Sequence, residues 1–167
     1  MRHEPPTALF RPMPGSLQRL AAALALALLL AACGSAEYAA GPAPASGRGQ
    51  DVVRTARSVL GTPYAYGGES PHTGFDCSGL AFWAYSMNGA AIPRSSGEQM
   101  GAGMAVDPAG ISPGDLVFFD VDGSTHVGIY EGQGWFIHSP KTGGAVREED
   151  MYKDFWRRRF LLARRVF

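Results

Sequence analysis

Three short apolar runs between residues 116 and 139 constrain the fold of this chain more than any other feature. They are Leu116-Val117-Phe118-Phe119, His126-Val127-Gly128-Ile129-Tyr130 and Trp135-Phe136-Ile137-His138-Ser139. The turn-formers Asp122-Gly123-Ser124 separate the first two, and Glu131-Gly132-Gln133-Gly134 the last two. Aromatic and β-branched runs joined by so few residues have no room for a crossover, so they read as antiparallel neighbours. Ala145-Val146-Arg147 predicts a fourth strand, Met151 to Trp156 a short helix, and Phe160 to Val166 a closing strand.

Upstream of residue 111 the periodicity changes. Val52, Val53, Ala56, Val59 and Leu60 fall at helical spacing, predicting an amphipathic helix over 51–60 that Gly61 ends. Thr62 to Gly68 reads as an extended piece closing in a Gly-Gly turn. Leu80 to Met87 predicts a second helix, with Asp76 as its N-cap and Gly89 as its C′ stop. Ile92 to Met100 is polar and turn-rich, with room for one helical turn. Helices first and a meander sheet afterwards predict an α+β domain, the Cys77 helix packed on one face of the sheet.

The chain has 167 residues, which favours one folded domain. Basic and acidic residues balance at 15 each, so there is no electrostatic footprint for nucleic acid. The first 32 residues read as a leader: Arg11 and Arg19 supply positive charge, and Leu20 to Ala32 is a run of Leu and Ala. That run is shorter than the roughly 20 residues a membrane-crossing helix needs. It ends in Leu30-Ala31-Ala32-Cys33, which resembles a bacterial lipobox with Cys33 as the lipidated mature N-terminus. An ordinary signal peptide with a chance Cys is the alternative, and either Met1 or Met13 serves as the start. Residues 33–50, rich in Ala, Gly, Pro and Ser, read as a tether, and residues 51–167 as the domain.

With Cys33 assigned to lipid, Cys77 is the one remaining cysteine. A lone thiol in an exported protein invites a reactive reading, against the alternative of a buried core Cys. Cys77 falls in the first turn of the second predicted helix, where the helix dipole favours a thiolate. A thiol nucleophile needs a base, and His126 and His138 lie on adjacent predicted strands. If 131–134 is the hairpin loop, Tyr130 faces Trp135 and Ser139 faces His126, leaving His138 one position off; both imidazoles share a face only through a bulge or slip. Three zinc ligands, Cys77, His126 and His138, are a further alternative, although no short-spaced ligand pair supports it. His3 lies in the leader, and His72 reads as a surface residue of a polar loop.

Six segments in order carry a resemblance. They are Gly61-Thr62-Pro63-Tyr64-Ala65-Tyr66-Gly67-Gly68, Phe75-Asp76-Cys77-Ser78-Gly79-Leu80, Pro93-Arg94-Ser95-Ser96, Gly114-Asp115-Leu116-Val117-Phe118-Phe119, His126-Val127-Gly128-Ile129-Tyr130 and Phe136-Ile137-His138-Ser139. Together, over about residues 51 to 167, they resemble the NlpC-type cell-wall cysteine peptidases. The resemblance implies a papain-like fold and hydrolysis of amide bonds in peptidoglycan stem peptides, at D-γ-glutamyl–diaminopimelate or at D-Ala–diaminopimelate crosslinks. It implies Cys77 as nucleophile, His126 as base, His138 as the orienting third residue and Tyr64 at the oxyanion site beside the Cys77 N–H. Asp76, Ser78 and Ser95 would be substrate contacts. No cofactor is implied, and the expected setting is a monomer anchored by lipid at the envelope, facing the periplasm from the outer membrane. One residue more separates Gly68 from Cys77 than in some close relatives, which bears on the loop 69–74. An amidase or acyltransferase with the same triad, and an idle wall-binding lipoprotein, are the competing readings.

Overall fold

The computed structural model describes residues 46–167; the leader, Cys33 and the tether up to residue 45 lie outside the described residues. The first helix, α1, runs Ser46–Arg57, starting before the expected Asp51 and giving way to turns after Arg57. Two-residue strands β1 (Glu69–Ser70) and β2 (Gly74–Phe75) pair with each other and lead into α2, Cys77–Met87. A single turn of helix, α3 (Ser96–Gln99), and a short strand, β3 (Met104–Val106), follow. Then come β4 (Leu116–Val121), β5 (Ser124–Gly132), β6 (Trp135–His138), β7 (Arg147–Asp150), α4 (Asp154–Arg157) and β8 (Phe160–Arg165).

Six of the strands form one antiparallel sheet in the order β3-β8-β4-β5-β6-β7. The predicted meander is its centre. The fourth strand lies later than Ala145–Arg147, and the helix after it starts at Asp154 rather than Met151. β3 gave no sequence signal beyond three residues, too short a run for period-two alternation to show.

The sheet separates two apolar layers. Leu116, Phe118, Val127, Ile129 and Ile137 pack against Val52, Val53 and Ala56 of α1 and Leu80, Ala81 and Ala84 of α2. Val117, Phe119, Tyr130, Phe136 and Ala163 point the other way, under Met151 and Trp156. Every residue of Leu116–Phe119 is therefore buried, which explains why that strand reads as a continuous apolar run instead of an alternation.

The hairpin between β5 and β6 departs from the expected symmetric loop. Its turn is two residues, Gln133 and Gly134, with φ of 55° and 85°. Positive φ at both central positions belongs to the turn whose twist matches that of paired strands. Gly132 then faces Trp135, while Tyr130 faces Phe136 and Ile129 faces Ile137, so Glu131 is a bulge that advances the register by one. This register replaces the expected Tyr130–Trp135 pairing. It aligns His138 with Gly128 and so puts His138 on the same face as His126.

Candidate active site

Asp76 caps α2 as the sequence predicts: its Oδ1 accepts from the Gly79 N–H at 2.7 Å, and Gly89 takes the left-handed conformation past the C-terminus. Cys77 is therefore the first residue of the helix. Its amide has no intrahelical acceptor and remains free to donate to a ligand. The sulfur is half-buried and faces the Val127 N–H of β5.

On β5 and β6 the one-residue advance brings His126 Nε2 within 2.8 Å of His138 Nδ1, the rings set edge to face. Both histidines are buried. His126 Nδ1 makes no hydrogen bond among the described residues and is the nitrogen left to take a proton. Trp156 lies over both rings, its centroid 5.5 Å from His126 and 5.0 Å from His138.

A cleft of about 500 Å³ opens in front of the sulfur, lined by Tyr64, Tyr66, Asp76, Cys77, Ser78, Arg94 and Ser95 among others. Arg94, quoted in the sequence only as part of a motif, is its hub. It donates to Asp76 Oδ1 and Oδ2 at 3.0 and 2.8 Å, to Ser78 Oγ at 2.9 Å, to the Gly68 carbonyl at 3.1 Å and to Glu69 at 2.8 Å. The cap of the Cys77 helix is thus held by a fork of planar donors that match a carboxylate. Gly79 is required here: a Cβ would sit 2.0 Å from the Gly68 carbonyl oxygen and 2.9 Å from the guanidinium. Ser95 lines the cleft but caps α3, its hydroxyl accepting from the Glu98 N–H and donating to Glu98 Oε2 at 2.6 Å. The neighbouring Ser96 donates to the Thr125 carbonyl at 2.9 Å, tying α3 to the strand that carries His126.

Electrostatics correct one expectation. The helix N-terminus was expected to favour a thiolate at Cys77, but burial dominates and pushes the thiol above its ordinary range; the Val127 and Ser78 amides oppose this without overcoming it, and the Asp76 charge adds to it. Burial, then the neighbouring His138, lowers His126 to about 3, with Glu149 pulling the other way. Both shifts favour the neutral thiol and the neutral imidazole in the substrate-free cleft. Burial raises the Tyr64 hydroxyl too, so at neutral pH it is a donor. For Asp76, burial works upward, but Arg94 and the Gly79 and Gly67 amides outweigh it and keep the carboxylate ionised.

Cys77, Tyr64, Asp76, Ser78 and Ser95 line one cleft; His126 and His138 meet on the sheet and do not line it, the tie to Cys77 being the Val127 N–H, next in the chain after His126, which faces the sulfur. His72 is exposed, as read. No group of three His, Cys, Asp or Glu side chains able to hold a metal ion occurs among the described residues, so the three-ligand alternative finds no support in the geometry. Two contributors were not singled out from the sequence, Arg94 and Glu149. Arg94 stood inside a quoted motif, whereas Glu149 sits in an acidic run that reads as a solvated edge.

Comparison with known proteins places this geometry. The family model described as "NlpC/P60 family" matches residues 61–165. Murein DD-endopeptidase MepH of Escherichia coli is 42% identical over 113 residues, covering 64% of this chain and 42% of that protein. Bifunctional muramidase/DL-endopeptidase CwlT of Bacillus subtilis is 39% identical over 112 residues, covering 65% of this chain and 33% of its own. Among solved structures, the NlpC/P60 domain of the peptidoglycan hydrolase SagA superposes with a TM-score of 0.62 at 34% identity, covering 70% of this chain and 97% of that domain. The chain spans about half or less of the length of such curated relatives. With the matched region running from the Gly61 turn to the end of β8 and containing every residue of the cleft, the chain belongs to the NlpC/P60 family.

Proposed function

We propose that this domain is a cysteine endopeptidase that hydrolyses amide bonds in peptidoglycan stem peptides, with Cys77 as nucleophile, His126 as base and His138 as the residue that orients it. The observation that carries the reading is the 2.8 Å His126–His138 bond, in a domain whose one described cysteine stands at a helix N-terminus lining an open cleft. Relatives named as murein endopeptidases support the substrate class.

The chemistry follows from the neutral resting pair. As the substrate carbonyl enters, the Cys77 proton passes to His126 Nδ1 and the sulfur bonds to the carbonyl carbon. The developing oxyanion accepts from the Cys77 amide and the Tyr64 hydroxyl, donors fixed before the charge forms. The His126 imidazolium gives its proton to the amide nitrogen, the C–N bond breaks, and the amine leaves. A water, deprotonated by His126, attacks the thioester carbonyl; the C–S bond breaks, the carboxylic acid leaves, and the His126 proton returns to the Cys77 sulfur.

Digestion of purified peptidoglycan followed by mass spectrometry tests this. New amine and carboxyl termini within stem peptides are expected, at a D-Ala–diaminopimelate crosslink or at the D-γ-glutamyl–diaminopimelate bond. Glycan cleavage alone, or no cleavage, overturns the reading.

The same proposal places the domain at the cell envelope on a lipid carried by Cys33. Its support is the Leu30-Ala31-Ala32-Cys33 sequence, with Gly34 and Ser35 following and no Asp beside the Cys, which by resemblance to lipoprotein sorting signals favours the outer membrane if the source has two. Among the described residues, no helix is long and apolar enough to cross a membrane. Cys33→Ser should release the protein from the membrane fraction or block its processing; parental fractionation of that variant overturns the anchor.

A further inference from the structure

His138 poses a question that the triad leaves open. Its ring is completely buried, and Nδ1 is spent on His126. The other nitrogen, Nε2, has no well-formed hydrogen bond among the described residues; its nearest acceptor is Glu149 Oε2 at 3.5 Å, the outer limit for such a bond. The β6–β7 register pairs Phe136 with Glu149 and His138 with Arg147, so Glu149 stands diagonally beside His138 on the same face. That oxygen is not free to wander. It accepts from Trp156 Nε1–H at 2.6 Å and lies 3.6 Å from the Arg147 guanidinium. The Trp156 ring also covers both imidazoles, so a single side chain from α4 fixes the carboxylate and roofs the histidine pair.

We propose that Glu149, clamped by Trp156, is a positioning residue that sets the order of protons along the His138–His126 chain and thereby makes His126 Nδ1 the basic nitrogen. An ionised carboxylate can only accept, so it requires the proton of neutral His138 to be on Nε2. His138 Nδ1 is then bare and must receive a proton from His126 Nε2. Neutral His126 carries one ring proton, so its Nδ1 is left bare for the Cys77 thiol. Without Glu149 nothing decides between this order and its reverse. In the reversed order His138 Nδ1–H donates to His126 Nε2, the His126 proton moves to Nδ1, and no site remains for the thiol proton. The charged groups around the chain agree with the forward order: Glu149 is held at about 2, chiefly by His138, with Trp156 and Arg147 assisting, so it stays ionised throughout the neutral range. When His126 becomes an imidazolium during turnover, this carboxylate is the negative charge behind the pair, with the Arg147 cation partly opposing it.

The inference rests on the Cys77–His126–His138 reading, and its test does not require hydrolysis. Long-range proton–nitrogen correlation spectra of the ¹⁵N-histidine-labelled protein report which ring nitrogen carries each proton. The parent should show Nε2–H on both His126 and His138. Glu149→Leu should mix or reverse the tautomers and lower kcat on the order of 10- to 100-fold at nearly constant KM, the range seen when a metal-ligating histidine loses its outer-shell carboxylate, which fixes a tautomer in the same way. Glu149→Gln should restore the parental tautomers and most of kcat, because Trp156 Nε1–H selects the carbonyl oxygen to face His138. Unchanged tautomers in folded Glu149→Leu overturn the proposal even if the rate falls. If Glu149→Leu fails to fold, Glu149→Gln decides: without the carboxylate charge, the acid limb of its rate profile should move to lower pH, and an unmoved limb overturns the proposal. Parental tautomers that depend on Glu149 in a protein that cleaves nothing would sink the peptidase reading while leaving the proton order in place.

Discussion

Ser139 Oγ donates a 2.6 Å hydrogen bond to the carbonyl of Phe75, joining the end of β6 to the segment two residues ahead of Cys77. Both residues are completely buried. His138 and Cys77, carried on elements 61 residues apart in the chain, are thus registered by a bond between their neighbours. Ser139→Ala removes one of the two donors to the buried Phe75 carbonyl, the Ala65 N–H remaining at 3.1 Å, a loss of about 0.5–1.5 kcal/mol. Thermal denaturation should show the drop, and kcat should fall more than KM rises, because the sulfur and the imidazole lose their common reference. A variant with parental Tm and kcat removes this bond from the account.

The three central side chains should separate cleanly in kinetics. Cys77→Ala should abolish hydrolysis while circular dichroism stays parental. His126→Ala removes the proton acceptor and the donor to the leaving amine together, a loss of roughly 10²–10⁴ in rate. His138→Asn keeps one hydrogen bond to His126 and should retain measurable activity, whereas His138→Ala should retain less. The double change His126→Ala with His138→Ala should cost little beyond His126→Ala alone, because groups that act as one unit are not additive. Second-order rates on a stem tetrapeptide decide the matter: equal losses for His138→Asn and His126→Ala would mean the roles are misassigned.

The resting thiol gives a prediction that departs from what the helix position suggested. Burial holds Cys77 above its ordinary range, so alkylation by iodoacetamide in the substrate-free protein should be slow near neutrality and climb above pH 9. A fast, pH-independent reaction between pH 5 and 8 would instead show a preformed thiolate–imidazolium pair.

Stability should depend on pH through the histidines. His126 sits near 3 when folded and near 6.5 when unfolded, so between those values the unfolded chain binds the extra proton. Its contribution is fully present above about pH 6.5 and is lost as pH falls toward 3; His138, lowered for the same reason, acts in the same direction. Urea midpoints measured down that range should decline, and the decline should be smaller in the His126→Ala and His138→Ala double variant. An equal slope in both proteins would place the acid sensitivity elsewhere.

The Cys77 helix and the central meander were readable because their signals are local. Asp76, the apolar run to Met87 and Gly89 give a cap, a body and a stop within one segment, and Asp122-Gly123 is a self-sufficient hairpin turn. The relative placement of the two histidines was not readable, because it depends on whether Glu131 is counted as strand or loop, and a charged residue before Gly-Gln-Gly fits both readings until its half-buried pairing with Arg57 is seen. The raised thiol was missed for a related reason: the helix dipole is a property of the sequence at residue 77, whereas desolvation is imposed by strands more than 40 residues downstream. Glu149 acquires its role only from Trp156 and His138, neither of which is near enough in sequence to reveal it.

Surface hairpins ordinarily tolerate insertions and deletions. The one at Gln133-Gly134 does not have that freedom, although it lies outside the cleft. Side chains on a strand have two phases, and the tip with its bulge acts as the phase-setter for everything on β6. Removing or adding a single residue there would turn His138 to the opposite side of the sheet, toward Leu80 and Ala81, and leave His126 without its partner. A length change of one at 131–134 would accordingly be lethal to the pair, so that the spacing between the two histidines, more than the identity of any residue of this hairpin, is what the site depends on.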